Sequence, residues 1–124
     1  MKAHTDTRCA ESDKLHTFFT DWAKDKLNIA RKSAVVDDRP LPRREIFDRA
    51  ERLLYALLEN GIKPMFVNPS FDGGIIIEFK NEGVYYMTEI DNEDDVVFLI
   101  RDKDGVKAFD LTPENYLDQI LDRI

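Results

Sequence analysis

The chain has one cysteine, Cys9, in 124 residues, so no internal disulfide can form and the composition suits a reducing compartment. Long apolar runs are also missing; nothing approaches the roughly 20 residues needed to cross a bilayer. Residues 1–13 are polar and lack the apolar stretch of a secretory signal, which makes a cytoplasmic location the expectation. There is no glycine-rich phosphate loop. The soft metal ligands stop at His4, Cys9 and His16, too few and wrongly spaced for a zinc site. No metal or cofactor is expected. Basic residues are scarce in one half only. Residues 1–66 hold 13 Lys and Arg against 11 Asp and Glu, whereas residues 67–124 hold 5 against 14. A surface of that sign repels phosphate, so nucleic acid is not an expected partner. It attracts basic proteins and speeds their encounter.

What the chain does have is a series of short strands, each closed by its own turn. Residues 64–111 run through Phe71-Asp72-Gly73-Gly74, a strand from Ile75, Asn81-Glu82-Gly83, a strand from Val84, the acidic bend Asp91 to Asp95, a strand from Val96, and Asp102-Lys103-Asp104-Gly105. This turn chemistry predicts an antiparallel meander of four or five strands. Ile75, Ile77 and Phe79 share one face by alternation and Ile76, Glu78 and Lys80 the other. The second face keeps enough apolar residues to suggest cover by a helix or by another subunit, and a homodimer through it is one expectation. The register around Asn81-Glu82-Gly83 stays open, because two- and three-residue loops pair different residues.

Helices flank the sheet. Ile46, Phe47, Ala50, Leu53, Leu54, Leu57 and Leu58 form one apolar stripe, predicting a helix over 43–60 closed by Asn60-Gly61. Its other face pairs Glu45 with Arg49 and Asp48 with Arg52 at i,i+4. Thr112 and Pro113 predict the start of a last helix, 113–124, carrying Tyr116, Leu117, Ile120, Leu121 and Ile124. Upstream, Ser12 predicts the cap of a helix over 12–28, with Leu15, Phe18, Phe19 and Trp22 as its core stripe. A disordered tail is expected over 1–11. A linker is expected over 29–42, where Pro40 and Pro42 fall close together. The fold class is α+β: a single domain with helices before and after the sheet, packed on one of its faces.

Two constellations bear on function. The carboxylates Asp91, Glu93, Asp94, Asp95, Asp102 and Asp104 crowd two bends of the sheet. They predict a non-enzymatic acidic module that engages a basic protein partner, in the manner of an antitoxin, immunity or adaptor protein. The other constellation is Asp72 followed by Glu78-Phe79-Lys80, which resembles the PD-(D/E)xK nuclease signature. The resemblance implies a metal held by Asp72 and Glu78, with Lys80 assisting the attacking water. An extended chain of about 3.3 Å per residue sets the two acids up to roughly 20 Å apart, whereas a shared ion needs both within about 2.0–2.6 Å. The acidic bend 91–95 lacks the glycine and distal glutamate of an EF-hand loop. Arg39, Arg43, Arg44, Arg49 and Arg52 form a basic cluster, which neighbouring acids largely offset.

The stretch Asn68-Pro69-Ser70-Phe71-Asp72-Gly73-Gly74-Ile75-Ile76-Ile77-Glu78-Phe79 resembles a hairpin found in a group of small bacterial proteins of unassigned function. The resemblance covers roughly residues 44–111. It implies an α+β fold and a bacterial or phage origin, with no activity attached. A second likeness, to frataxin, rests on the helix–sheet–helix order and Gly73-Gly74…Phe79-Lys80-Asn81. Its first helix lacks that family's acidic ridge, and no site residue carries over.

Overall fold

A computed structural model describes the backbone of residues 2–124 and the side chains of residues 14–124. The order is α1 (Lys2–Val36), α2 (Arg44–Glu59), β1 (Phe66–Pro69), β2 (Ile75–Asn81), β3 (Val84–Ile90), β4 (Val96–Asp102), β5 (Gly105–Leu111) and α3 (Tyr116–Arg123). The five strands form one antiparallel sheet in the order β1-β2-β3-β4-β5. Asn81 pairs with Val84, so Glu82-Gly83 is a two-residue loop, and both residues take positive φ as a type I′ turn requires. That pairing sets Ile77 beside Thr88 and Phe79 beside Tyr86.

The helices lie on the inner face. Ile75, Ile77, Phe79, Ile90, Val96 and Phe98 are sealed beneath them, together with Ile46, Ala50, Leu53, Leu54 and Leu57 of α2. Burying each large aliphatic or aromatic side chain contributes about 1.5–3 kcal/mol of transfer free energy. α2 lies against β2 and β3, α1 against α2 and β1, and α3 against α2. Across the strands Phe79, Tyr86, Phe98 and Phe109 stack in a ladder with ring centroids 5.0, 5.8 and 6.3 Å apart. Aromatic contacts of this kind add about 0.5–1.5 kcal/mol per pair.

Three helix boundaries differ from the sequence expectation. α1 continues through residues 29–36, where a linker was expected, and its backbone is helical upstream of Ser12. The side chains of Ser12 and of the whole expected tail, residues 1–11, lie outside the described residues. The helix persists because its buried stripe is Ala23, Leu27, Ala30 and Ala34. These small residues let α1 approach α2 and β1 closely, and they do so regardless of the polar residues between them. Leu15 and Phe18, expected in the core, are 54% and 60% exposed, and Trp22 is half-buried. Just past the end of α1 at Val36, Asp38 takes φ +57°; Arg39 N–H donates to the Ala34 carbonyl and Asp38 N–H to that of Val35. That is a Schellman closure with aspartate in the left-handed position. α3 starts at Tyr116 rather than at 113. Thr112 and Asn115 bond one another reciprocally, side chain to backbone N–H at 2.9 and 3.3 Å, and hold residues 112–115 as a turn. Among the described residues no helix is long and apolar enough to cross a membrane.

Candidate functional site

The carboxylates singled out in the sequence separate into two groups. The β3–β4 loop carries Asp91, Glu93, Asp94 and Asp95, and the β4–β5 turn carries Asp102 and Asp104. Strand β4 lies between them, so the groups stand at opposite ends of the sheet, roughly 20 Å apart at strand rise. In one copy of the chain they do not form one surface.

The β3–β4 loop is built as a rigid tip. Asp91 N–H donates to the Asp95 carbonyl at 2.8 Å, closing a three-residue loop, and Asp94 takes φ +69°. Left-handed backbone at a non-glycine residue is uncommon, and aspartate is among the side chains that tolerate it. Two arginines from the start of α2 hold it there. Arg49 donates to Asp94 Oδ1 at 2.8 Å and Arg43 to the same oxygen at 3.1 Å. Arg43 also reaches the Asn92 side chain at 2.9 Å and the Asn92 carbonyl at 2.7 Å. Hydrogen bonds from Arg49 and then Arg43 hold the Asp94 carboxyl below its ordinary range. Asp94 is thus engaged within the chain. Glu93 and Asp95 remain exposed, and Asp91 uses one oxygen to accept from Glu93 N–H.

The neighbouring β1–β2 connection completes this end. Gly73 lies against the Asn92 side chain, and a Cβ built on Gly74 would come within 2.6 Å of the Ile90 carbonyl oxygen. Gly74 N–H donates to Ser70 Oγ at 2.8 Å, and Ser70 Oγ–H donates to Asp72 at 3.0 Å. Arg39 donates to the Pro69 carbonyl at 2.9 Å and stacks over Phe71. Glu89, half-buried on β3, has its carboxyl pushed up by burial and by the nearby charges of Asp72 and Asp91. Uncompensated negative charge therefore accumulates where these two loops meet. At the far end, Asp102 Oδ1 accepts from Asp104 N–H at 2.8 Å, an ordinary turn closure.

The residues of the nuclease-like pattern are spread along β2. Asp72 sits in the turn before the strand, bonded to Ser70. Glu78 lies mid-strand and accepts from the Tyr85 hydroxyl, while Lys80 is exposed near the opposite end. Among the described residues no three His, Cys, Asp or Glu side chains gather where a metal ion could be held. Of the soft ligands, the His4 and Cys9 side chains lie outside the described residues. His16 Nδ1 lies 2.6 Å from the Tyr55 hydroxyl, on the outside of the α1–α2 pair. The Glu59 carboxylate, one helical turn on, is the main cause that pushes the Tyr55 hydroxyl up.

Sequence reasoning missed the arginine clamp. Arg49 is spaced to pair with Glu45 along its own helix, yet it bonds an acid 45 residues away, and Arg43 reaches one 51 away. The unusual excess of arginine at the start of α2 was the available signal. No family profile, curated protein or solved structure matches this chain.

Proposed function

We propose that this chain is a non-enzymatic protein-binding module whose acidic loop end engages a basic surface on another protein, in an antitoxin, immunity or adaptor role. One observation carries the reading: the Asp94 clamp. It fixes the β3–β4 loop while leaving Glu93 and Asp95 solvent-facing beside Asp91 and Asp72. A fixed loop presents its carboxylates at low entropic cost, and preorganised charge raises association rate and rejects acidic competitors. The Asp102–Asp104 turn plays a secondary part, because it lies at the other end of the sheet.

The test uses the basic protein recovered with this chain from its own source cells. Association should slow steeply as ionic strength rises from low to physiological values. Glu93→Lys with Asp95→Lys should slow it by about tenfold or more, while Asp102→Lys with Asp104→Lys has a smaller effect. An association rate indifferent to salt and to both double variants refutes the proposal.

A further inference from the structure

Register places the outer-face side chains in three rows across the strands. One end row is Asn68, Ile76, Glu89, Val97 and Asp110. The middle row is Phe66, Glu78, Met87, Leu99 and Ala108. The other end row is Lys80, Tyr85, Arg101 and Val106. Charge is segregated along the strands: the first row is acidic, the last basic, and the middle mostly apolar. The apolar members are open to water in part. Phe66 is 53% and Val106 60% exposed, and Ile76, Met87, Val97 and Leu99 are half-buried, whereas their inner-face counterparts are sealed. A contiguous apolar patch rimmed by polar groups marks an interaction surface.

We infer that this outer sheet face is the interface between two copies of the chain, related by a two-fold axis running across the strands along the middle row. Such an axis keeps each strand over its own counterpart and exchanges the two ends. The acidic row of one copy then lies over the basic row of the other. Glu89 comes to rest over Tyr85 of the second copy, between that copy's Lys80 on β2 and Arg101 on β4. Asp110 comes beside the same Arg101. Met87 and Leu99 meet their own counterparts at the centre. A two-fold interface requires this self-complementarity, in which each patch is its own partner.

Three details fit. Arg101 lies over the Tyr85 ring at 4.4 Å, which sets its guanidinium on the outer face. Glu78, the one charge in the middle row, accepts from the Tyr85 hydroxyl, which draws its carboxylate off the axis toward the basic end. Burial, and then the charges of Asp72 and Asp91, raise Glu89, and a cation from a second copy would relieve the repulsive part of that shift. The size is also adequate. Strands about 4.8 Å apart, rising about 3.3 Å per residue, give a flat footprint on the order of 450 Å². Side-chain relief brings the buried area toward the roughly 800 Å² per partner of a standard interface.

The same rotation sets the Asp91–Asp95 loop of each copy beside the Asp102–Asp104 turn of the other. Stacked sheets lie about 10 Å apart, near one screening length at physiological salt, so repulsion between these bends is weak.

Sedimentation equilibrium of the whole chain across micromolar concentrations tests the assignment, with folding of every variant checked by circular dichroism. The native chain should sediment as a dimer. Lys80→Glu with Arg101→Glu makes the face wholly acidic, and Glu89→Lys with Asp110→Lys makes it mostly basic. Each double variant alone should self-associate at least tenfold more weakly, and an equimolar mixture of the two should recover native affinity as a heterodimer. All four positions lie on the open face, so the substitutions spare the core. A monomeric native chain overturns the inference, as does a dimer indifferent to both charge reversals. A native monomer that binds a basic protein through this face also overturns it, and assigns the face to that protein.

Discussion

Replacing Gly74 with alanine tests how the acidic end is assembled. The new methyl carbon would lie 2.6 Å from the Ile90 carbonyl oxygen and 2.8 Å from Ser70 Oγ. Non-bonded contacts to carbon sit near 3.5 Å, so the β1–β2 connection has to move off β3 by roughly 1 Å. Overpacking of this kind costs about 1–3 kcal/mol. The shift also strains the buried Gly74 N–H to Ser70 Oγ bond, whose loss costs about 1–3 kcal/mol. Together they destabilise the fold by on the order of 3 kcal/mol, a large share of the usual 5–15 kcal/mol. Gly83→Ala is the internal control. It has φ +82° and nothing within 4 Å, so only backbone strain of about 1 kcal/mol applies. Urea denaturation of both variants at constant m value measures the difference. If Gly74→Ala costs no more than Gly83→Ala, the close approach of the two loops is wrong.

Thr88 is fully buried in the centre of β3, and its hydroxyl has no protein hydrogen-bond partner. Thr88→Val should stabilise the chain by about 1 kcal/mol in thermal unfolding; a loss of stability would reveal a buried partner for that hydroxyl. Tyr116 donates to the Arg49 carbonyl at 2.9 Å, and burial pushes its hydroxyl up to about 12. Its neutral form is favoured by folding, so its contribution is complete below the ordinary tyrosine pKa of about 10 and is lost as pH rises through about 12. Tyr116→Phe should remove that alkaline loss along with about 1 kcal/mol at neutral pH, and an unchanged alkaline profile refutes the assignment. Asp94→Gly keeps the left-handed backbone and removes the clamp, so hydrogen exchange over residues 91–95 should speed by roughly tenfold. Acid should lower the protection of the same amides in the native chain, measured as the ratio of intrinsic to observed exchange rate at each pH. The lowered Asp94 carboxyl holds its arginines above the ordinary carboxylate range and releases them as pH falls through the folded value. Exchange that is unaffected by either change refutes the clamp.

The sheet was legible in the sequence because its determinants are local. Asn81-Glu82-Gly83 and Asp104-Gly105 signal hairpins by backbone preference alone, and the alternation of Ile75, Ile77 and Phe79 marks the inner face. α2 was legible for the same reason. α1 was not, because its buried stripe is largely alanine, which periodicity of large apolar residues overlooks, while its bulkier Leu15 and Phe18 face solvent. The late start of α3 reflects a side-chain bond pattern between Thr112 and Asn115, which competes with the helical cap expected of Thr112. The site was half-legible. Composition flagged the acids, but their division into two ends depends on β4 running between them. The pairing of Asp94 with Arg43 and Arg49 depends on where α2 crosses the sheet, which no local pattern encodes.

Trp22 is the only tryptophan, and it sits half-buried on α1 with Lys26 5.5 Å from its ring centre, near the β1 edge. The stacked rings of the inner ladder are Phe and Tyr alone. The chain therefore carries two separate optical reporters. Indole emission follows the long first helix, and the near-ultraviolet tyrosine signal, from Tyr55 on α2, Tyr85 and Tyr86 on β3 and Tyr116 on α3, follows the rest of the domain. A denaturant titration in which the two curves part company would show the helix peeling away before the strands melt, and coincident curves would make the whole chain one cooperative unit.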